Sequence, residues 1–178
     1  MSKRKRYRFW LRTAVLIALF SAVGFAFYQN LTPANKKNGL GLNEQAPNFK
    51  LTTLNCEEIE LNKLKGKAVL VNFWGTWCEP CKREMPAIQD AYEQYKDKKF
   101  EIVAVNVQES DVSVKSFINN IGISFPIALD KTGEVYRSWN IFNLPSSIFI
   151  NSEGIIERKY EGEISRKQLD QWINELLK

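Results

Sequence analysis

Residues 68–81 read AVLVNFWGTWCEPC, and this stretch decides the fold. Ala68–Trp74 is a short apolar run, as expected of a buried central strand. Two cysteines follow in a Cys-x-x-Cys motif, Cys78 and Cys81, and apolar residues then recur at helical spacing as far as Tyr95. The sequence therefore predicts a strand, a cysteine-bearing loop and a helix in direct succession.

The cysteines lie where a helix is predicted to begin, and that position suits thiol chemistry. The unpaired backbone N–H groups and the positive dipole end of a helix N-terminus stabilise an anion such as a thiolate. Cysteines in Cys-x-x-Cys motifs have pKa values from about 3.5 to 7.5. We predict that Cys78 is the nucleophile at an exposed tip and Cys81 the resolving thiol. Pro80 is compatible with this start, because the first helical turn needs no N–H from it.

The composition excludes several other kinds of catalytic site. The 178 residues include three cysteines and no histidine. Ser-His-Asp and Cys-His catalysis, a Cys-Cys-His zinc site and haem attachment through Cys-x-x-Cys-His are therefore impossible within them. A purely structural disulfide across so short a span would stabilise little. The motif predicts a redox-active disulfide, Cys78–Cys81, with no metal and no separate cofactor.

Strands and helices are predicted to alternate on both sides of the motif. Alternation of this kind indicates a three-layer α/β domain, and the hairpin predicted near the C-terminus makes the sheet mixed. The predicted strands are 48–53, 58–61, 68–74, 101–107, 126–129, 147–151 and 155–161, and the predicted helices are 79–95, 112–120, 134–139 and 165–177.

The net charge of +5 comes from the N-terminus. Six of the 25 basic residues lie among the first twelve positions, and Glu44 is the first acidic residue. The other 19 basic residues accompany 20 acidic ones, so the rest of the chain is nearly neutral. A nucleic-acid-binding domain needs a basic face, and this charge count does not predict one.

A charge-free segment, residues 13–35, follows the basic cluster. About 20 mostly apolar residues cross a bilayer as a helix, and basic flanks stay in the cytoplasm. The alternatives are a signal peptide cleaved near Gly24-Phe-Ala26 and a buried core helix. An anchor or a signal peptide would place the folded domain outside the cytoplasm. We predict a cytoplasmic basic segment (1–12), a transmembrane signal-anchor (13–30), a linker (31–43) and a folded domain (44–178).

Residues 73–81 resemble the active-site strand and loop of the thioredoxin superfamily. The Glu79-Pro80 dipeptide is similar to that of its extracytoplasmic ResA-like (TlpA/ResA) branch, whereas thioredoxins proper carry Gly-Pro. Residues 103–107 and 112–129 resemble that branch's extra strand and helix. The resemblance covers nearly the whole chain. It implies a thioredoxin-like α/β fold: a central mixed sheet flanked by helices, an N-terminal β-hairpin, a central strand–helix insertion and a single N-terminal transmembrane helix.

A proton-transfer residue is also implied. Thioredoxin-type enzymes usually carry a buried carboxylate six residues before the first cysteine, but Asn72 stands there and cannot titrate. Cys78, Cys81 and Glu84 share one helix face by their spacing, and the resemblance implies that Glu84 takes the catalytic role. Burial would raise the pKa of Glu84 into a useful range. From spacing alone, a solvated glutamate in the run 82–84 remains the alternative.

The resemblance further implies a surface that contacts the partner protein. Residues 144–147 look like the loop that carries a cis-proline beside the disulfide, although the family more often has Thr where Ser146 stands. An ordinary trans-proline is the alternative. Trp77 is expected to shield the cysteine pair and line the partner surface, and Glu79 to tune the thiol pKa and partner choice. The predicted partner-binding residues are Trp77, Glu79, Pro80, Leu144, Pro145 and Ser146.

The implied function is disulfide reduction outside the cytoplasm. A CcdA-like membrane reductant would reduce the Cys78–Cys81 pair, which would then reduce the haem-binding cysteines of apocytochrome c during cytochrome c maturation. Without the resemblance the direction stays open, because it depends on the reduction potential. The alternatives are a sibling reductase for other exported clients, as in spore-envelope synthesis, a disulfide-inserting oxidase and a non-enzymatic membrane-tethered chaperone. A thiol peroxidase is disfavoured by the paired cysteines.

Cys56 lies outside the motif, in a predicted hairpin turn. We interpret it as a bystander thiol that could pair between chains in an oxidising compartment. A third redox centre is the alternative.

Overall fold

The computed structural model describes residues 10, 12–17, 19–21, 23–25 and 40–178. The rest of the predicted basic segment, anchor and linker lies outside the described residues. The chain divides into two compact units, Met1–Lys37 and Asn38–Lys178. The described residues of the first unit are helical. Within the described part of the chain, no helix has both the length and the hydropathy that a membrane span requires.

The second unit has the alternating order that the sequence predicts, with boundaries that agree to within one or two residues. Ser165 caps the last helix in a capping box with Gln168, as its position suggested. The elements are β1 Lys50–Thr53, β2 Glu58–Glu60, a 3-10 turn Leu61–Leu64, β3 Ala68–Trp74, α1 Glu79–Tyr95, β4 Phe100–Val107, α2 Asp111–Ile121, β5 Ile127–Asp130, α3 Glu134–Ser138, β6 Ser146–Ile150, β7 Ile156–Glu161 and α4 Arg166–Leu176.

The strands form one sheet in the order β2-β1-β5-β4-β3-β6-β7. The β3–β4 and β4–β5 pairs are parallel, while the β1–β2, β1–β5, β3–β6 and β6–β7 pairs are antiparallel. The sheet is therefore mixed, and the prediction is confirmed. β3 lies near its centre with strands on both sides, which explains why all seven of its residues are buried.

Two apolar clusters cover the two faces of the sheet. Successive side chains of a strand point to opposite faces, so Leu70 and Trp74 join one cluster while Val71 and Phe73 join the other. The first cluster contains buried residues of α1 and α4, and the second contains residues of α3. The result is the predicted three-layer arrangement, with β3 in its middle layer.

The N-terminal edge of the unit packs against β7. Leu40 and Ala46 are buried in the second cluster, and the backbone N–H of Asn43 donates to the carbonyl oxygen of Ile156 at 2.8 Å. The packed body thus includes residues on both sides of the domain boundary predicted at 44.

The topology brings three loops to one edge of the sheet. β3 and β4 are parallel and end at the same edge, where Trp74 pairs with Asn106. β6 runs antiparallel to β3 and therefore begins there, with Ser146 opposite Phe73. The loop before α1, the segment after β4 and the loop before β6 consequently meet at the edge where the two cysteines lie.

Candidate active site

The cysteine pair begins helix α1. Cys78 is the N-cap residue in an extended conformation, and its Sγ accepts a hydrogen bond from the backbone N–H of Cys81 at 3.3 Å. The two residues form a disulfide with their Cα atoms 5.2 Å apart. A helix N-terminus stabilises negative charge, so the thiolate that remains after the disulfide opens is stabilised at the position of Cys78.

The two sulfurs differ in access to solvent. Cys78 is 5% exposed and Cys81 is fully buried. Both belong to the first apolar cluster, so Cys78 is less exposed than a tip position suggested. The order of access nevertheless agrees with Cys78 as the attacking thiol and Cys81 as the resolving one.

Glu84 lies one turn beyond Cys81 and is only 1% exposed. Its Oε1 accepts a hydrogen bond from Asn72 Nδ2 at 2.9 Å, and its Oε2 accepts one from the backbone N–H of Ile164 at 2.9 Å. Burial raises the pKa of Glu84 to about 7, although both hydrogen bonds oppose this rise and nearby Glu163 adds to it. The alternative of a solvated glutamate is therefore wrong.

A carboxyl group with this pKa can accept or release a proton near neutral pH. General acid–base groups work best when their pKa lies near the working pH. The hydrogen-bond donors to Glu84 come from β3 and from the loop before α4, which are far from each other in the sequence. Sequence analysis noted Asn72 only because it replaces the family's usual carboxylate. In the structure its side-chain amide donates a hydrogen bond to Glu84.

The Leu144–Pro145 peptide bond is cis, which confirms the prediction for this loop. Pro145 is buried, and its carbonyl oxygen accepts a hydrogen bond from the backbone N–H of Gly162 at 2.8 Å. Ser146 Oγ donates to the carbonyl oxygen of Asn143 at 2.7 Å. Leu144 packs against the cluster that contains both cysteines, so the structure brings this loop and the disulfide together.

Three further predicted residues lie around the helix start. Trp77 is 64% exposed, and a Cβ atom at Gly75 would lie 2.8 Å from its Nε1, so the indole ring lies against Gly75. Pro80 lies in the first turn of α1 and is half-buried. Glu79 is exposed and pairs with Lys82 Nζ at 2.6 Å, which lowers the pKa of its carboxyl. Their roles toward a partner stay predictions.

Sequence reasoning missed a second carboxylate at this edge, Glu109. Its Oε2 accepts hydrogen bonds from the backbone N–H of Thr76 and from Asn106 Nδ2, each at 2.7 Å. Its Oε1 accepts one from the Thr76 hydroxyl. Glu109 therefore holds the loop directly before Cys78 to the end of β4. The position of Glu109 could have indicated this contact. Glu109 follows β4, which is parallel to β3, and the loops after parallel strands lie at the same edge of the sheet.

Sequence analysis also did not predict that Phe142 is exposed at this edge of the sheet. This residue lies in the loop before the cis-proline and is 77% exposed. Together with Trp77 it contributes exposed apolar surface on the loops at this edge of the sheet. Among the described residues, no group of acidic, cysteine or histidine side chains could hold a metal ion.

Comparisons with known proteins give the same chemistry. Residues 42–159 match the AhpC/TSA family. The thiol-disulfide oxidoreductase ResA of Bacillus subtilis (strain 168) is 39% identical over 171 residues, which cover 96% of this chain and 94% of that protein. ResA of Halalkalibacterium halodurans is 41% identical over 174 residues, covering 98% and 97%. The chain belongs to the ResA family of thiol-disulfide oxidoreductases.

Solved structures confirm the thioredoxin-like fold of this ResA-family protein. A thiol:disulfide interchange protein of the thioredoxin family from Chlorobium tepidum superimposes with a TM-score of 0.71 at 28% identity, covering 78% of this chain and 99% of that chain. StoA from Bacillus subtilis superimposes with a TM-score of 0.64 at 32% identity, covering 73% and 98%. The protein is an oxidoreductase that works through a redox-active cysteine pair, and in this chain the pair is Cys78–Cys81.

Proposed function

We propose that this ResA-family protein reduces protein disulfides outside the cytoplasm while residues 13–30 anchor it in the cell membrane. The observation that carries the proposal is the buried Glu84. It lies one turn after a Cys-x-x-Cys disulfide at a helix N-terminus, and its pKa is about 7. The basic cluster at residues 3–12 supports the anchor and its orientation. ResA relatives also align with nearly the whole chain.

The proposed reaction has two steps that balance in atoms and electrons. The Cys78 thiolate attacks one sulfur of a client disulfide, so that a Cys78–client bond forms and the other client sulfur leaves as a thiolate. Glu84 then accepts the proton of the Cys81 thiol. The Cys81 thiolate attacks Cys78 Sγ, the Cys78–Cys81 bond forms, and the second client sulfur leaves with the electron pair. The client gains two electrons and the enzyme pair loses them.

The proposed client is the disulfide of the haem-binding cysteines of apocytochrome c. The proposed source of electrons is a CcdA-like membrane reductant that opens the Cys78–Cys81 disulfide. A second candidate is a sibling reductase for other exported clients, and the 32% identity to StoA from Bacillus subtilis is the observation that favours it. The two candidates share the chemistry and differ only in the client.

The direction of electron flow is tested by the reduction potential of the full-length chain in detergent micelles, equilibrated with glutathione and dithiothreitol buffers. We expect a value near −270 mV or lower, as for thioredoxin, whereas strong oxidases lie near about −120 mV. The reduced enzyme should then reduce an oxidised Cys-x-x-Cys-His apocytochrome peptide stoichiometrically. A matched peptide whose histidine is alanine is the control for client recognition.

A potential near the oxidase value would overturn reduction as the direction and leave disulfide insertion as the function. Equal rates with both peptides would retain the reductase and remove apocytochrome c as the specific client. The second candidate would then be tested with exported proteins other than cytochromes.

Location is tested by using Cys56 as a built-in label. Cys56 is a free, exposed cysteine in the β1–β2 turn. In cells that express a Cys78→Ser/Cys81→Ser variant, we expect a membrane-impermeant maleimide to label Cys56 without lysis, because the domain lies outside. The same variant with Cys56→Ser is the control and should stay unlabelled. Labelling that requires lysis would contradict the proposed location.

A further inference from the structure

The strongest unexplained feature of the described residues is the side-chain amide of Asn72. It is fully buried on β3, between Glu84 of α1 and Ser147 of β6. Its Nδ2 donates to Glu84 Oε1 at 2.9 Å and to Ser147 Oγ at 3.1 Å. Its Oδ1 has no hydrogen-bond partner among the described residues. A buried polar atom left in this way needs an explanation.

We propose that Asn72 is a positioning residue that turns its amide over to bond Glu84 in both of its protonation states. The inference deepens the proposed function, on which it rests, because that function requires Glu84 to take and release a proton. The observed orientation is the one that suits an ionised carboxylate, which can only accept hydrogen bonds. Both Nδ2 hydrogens then have acceptors.

Protonation of Glu84 changes what its neighbours must offer. Oε2 faces the backbone N–H of Ile164, a donor that cannot turn, so it must remain an acceptor. The proton therefore belongs on Oε1, which faces Asn72. A half-turn of the amide about χ2 places Oδ1 against this new O–H donor. The Ser147 hydroxyl, which can donate as well as accept, then donates to Oδ1 too.

The exchange is balanced, because each orientation leaves one polar group of the amide without a partner among these residues. Asn72 therefore bonds Glu84 in either state: the observed orientation favours the ionised carboxylate and lowers its pKa, whereas the turned orientation stabilises the protonated carboxyl. An aspartate at this position could not do this, since two adjacent carboxylates share one proton. The amide also connects Glu84 to Ser147, two residues after the cis-proline, so the proton state is communicated to the loop beside the disulfide.

Glu163, in the loop before α4, is the charged group of another element that raises the pKa of Glu84. It is paired with Arg83 of α1 at 2.7 Å, which reduces its effect. The titration of Glu84 can accordingly be followed by the response of its direct partner, Asn72.

The test is nuclear magnetic resonance of the isotopically labelled, oxidised full-length chain in detergent micelles. At pH 9 we expect a nuclear Overhauser effect between the Asn72 Nδ2 protons and the Ser147 Hβ protons. This effect should be lost at pH 5. The pH midpoint of its loss should equal the pH midpoint at which the chemical shift of the Glu84 carboxyl carbon changes. Asn174, whose amide donates to the Tyr95 hydroxyl and the Asp170 carbonyl, is the internal reference and should not respond.

If the Asn72–Ser147 nuclear Overhauser effect persists at pH 5 while the Glu84 carboxyl carbon titrates, the proposal is overturned and Asn72 is a fixed donor. In Glu84→Gln the pH dependence should disappear, and its survival there would also overturn the proposal. No client is present, so failure of the proposed function would not alter either outcome. Conversely, an Asn72 amide that keeps one orientation would leave the proposed reductase activity to be decided by its own experiments.

Substitutions give a second, independent measurement. Asn72→Leu removes the amide in both proton states, so the Glu84 midpoint should move by less than about half a pH unit. Loss of a fixed donor to the carboxylate would raise it by about one unit or more. Asn72→Asp should split the titration into two transitions on either side of the original midpoint. A single unsplit transition would contradict the contact between residues 72 and 84 on which the proposal rests.

Discussion

Cys81→Ser accumulates a one-to-one mixed disulfide between Cys78 and its client and completes no turnover. Cys78 retains its position at the helix N-terminus and can still attack, because the backbone N–H groups that stabilise its thiolate are unchanged. Serine at 81 cannot displace the client sulfur. We expect at least a thousandfold loss of turnover, with the adduct visible by mass spectrometry and on non-reducing gels.

Cys78→Ser should lose turnover to the same extent without forming the adduct, because the remaining thiol of the pair, Cys81, is fully buried. The matched control is Cys56→Ser, which removes the exposed thiol of the β1–β2 turn and should leave the rate unchanged. If the adduct instead forms through Cys81 in Cys78→Ser, the two cysteines have the opposite roles. Loss of activity in Cys56→Ser would establish a third redox cysteine.

Glu84→Gln slows the resolution of the mixed disulfide by about 10²–10⁴-fold, the usual contribution of a general acid–base group. Glutamine has nearly the shape of glutamic acid but cannot take the proton from Cys81. The wild-type rate should change with pH around 7, since burial holds the pKa of Glu84 there. The variant should lack this inflection. Single-turnover kinetics from pH 5 to pH 9 measure both effects.

The same substitution should change the pH dependence of stability. The pKa of Glu84 is about 7 in the folded chain against its ordinary value of 4.5, so the folded state binds the proton more tightly. The stability that this proton contributes is fully present below pH 4.5 and is lost as the pH rises through 7. Between pH 5 and pH 8, Glu84 should lower the unfolding free energy by about 2–3 kcal/mol.

Denaturant unfolding at the two pH values measures this loss, which Glu84→Gln should not show. The control is Glu93→Gln, which changes an exposed carboxylate on the same helix that is paired with Lys96. It should keep the wild-type rate inflection and the wild-type stability change. A variant at position 84 with an unaltered inflection would show that another group transfers the proton.

The boundaries of the elements could be predicted because each depends on near neighbours in the chain. The apolar run 68–74, the helical spacing of Met85, Ile88 and Tyr95 and the Ser165 cap are local patterns, and all agree with the structure. The position of Cys78 and Cys81 at a helix start was predictable for the same reason. The cis-proline was predictable only through the resemblance to a family.

The contacts around Glu84 could not be predicted from neighbours. Asn72 is 12 positions from Glu84 and 75 from Ser147, and Ile164 is 80 positions from Glu84. Spacing alone left Glu84 divided between a buried acid and a solvated one. Likewise, the hydrogen bonds between Glu109 and Thr76 cross 33 positions, and no local pattern indicates them.

The sequence by itself determined the order of the elements, the mixed α/β sheet and the redox pair Cys78–Cys81 at the start of α1. These follow from hydrophobic periodicity and from the backbone chemistry of a helix N-terminus, which act over a few residues. Only the tertiary structure decided that Glu84 is buried, that its pKa is about 7 and that the Asn72 amide bonds it. Those properties depend on desolvation and on hydrogen-bond partners from β3 and the loop before α4, which meet α1 only when the sheet has formed.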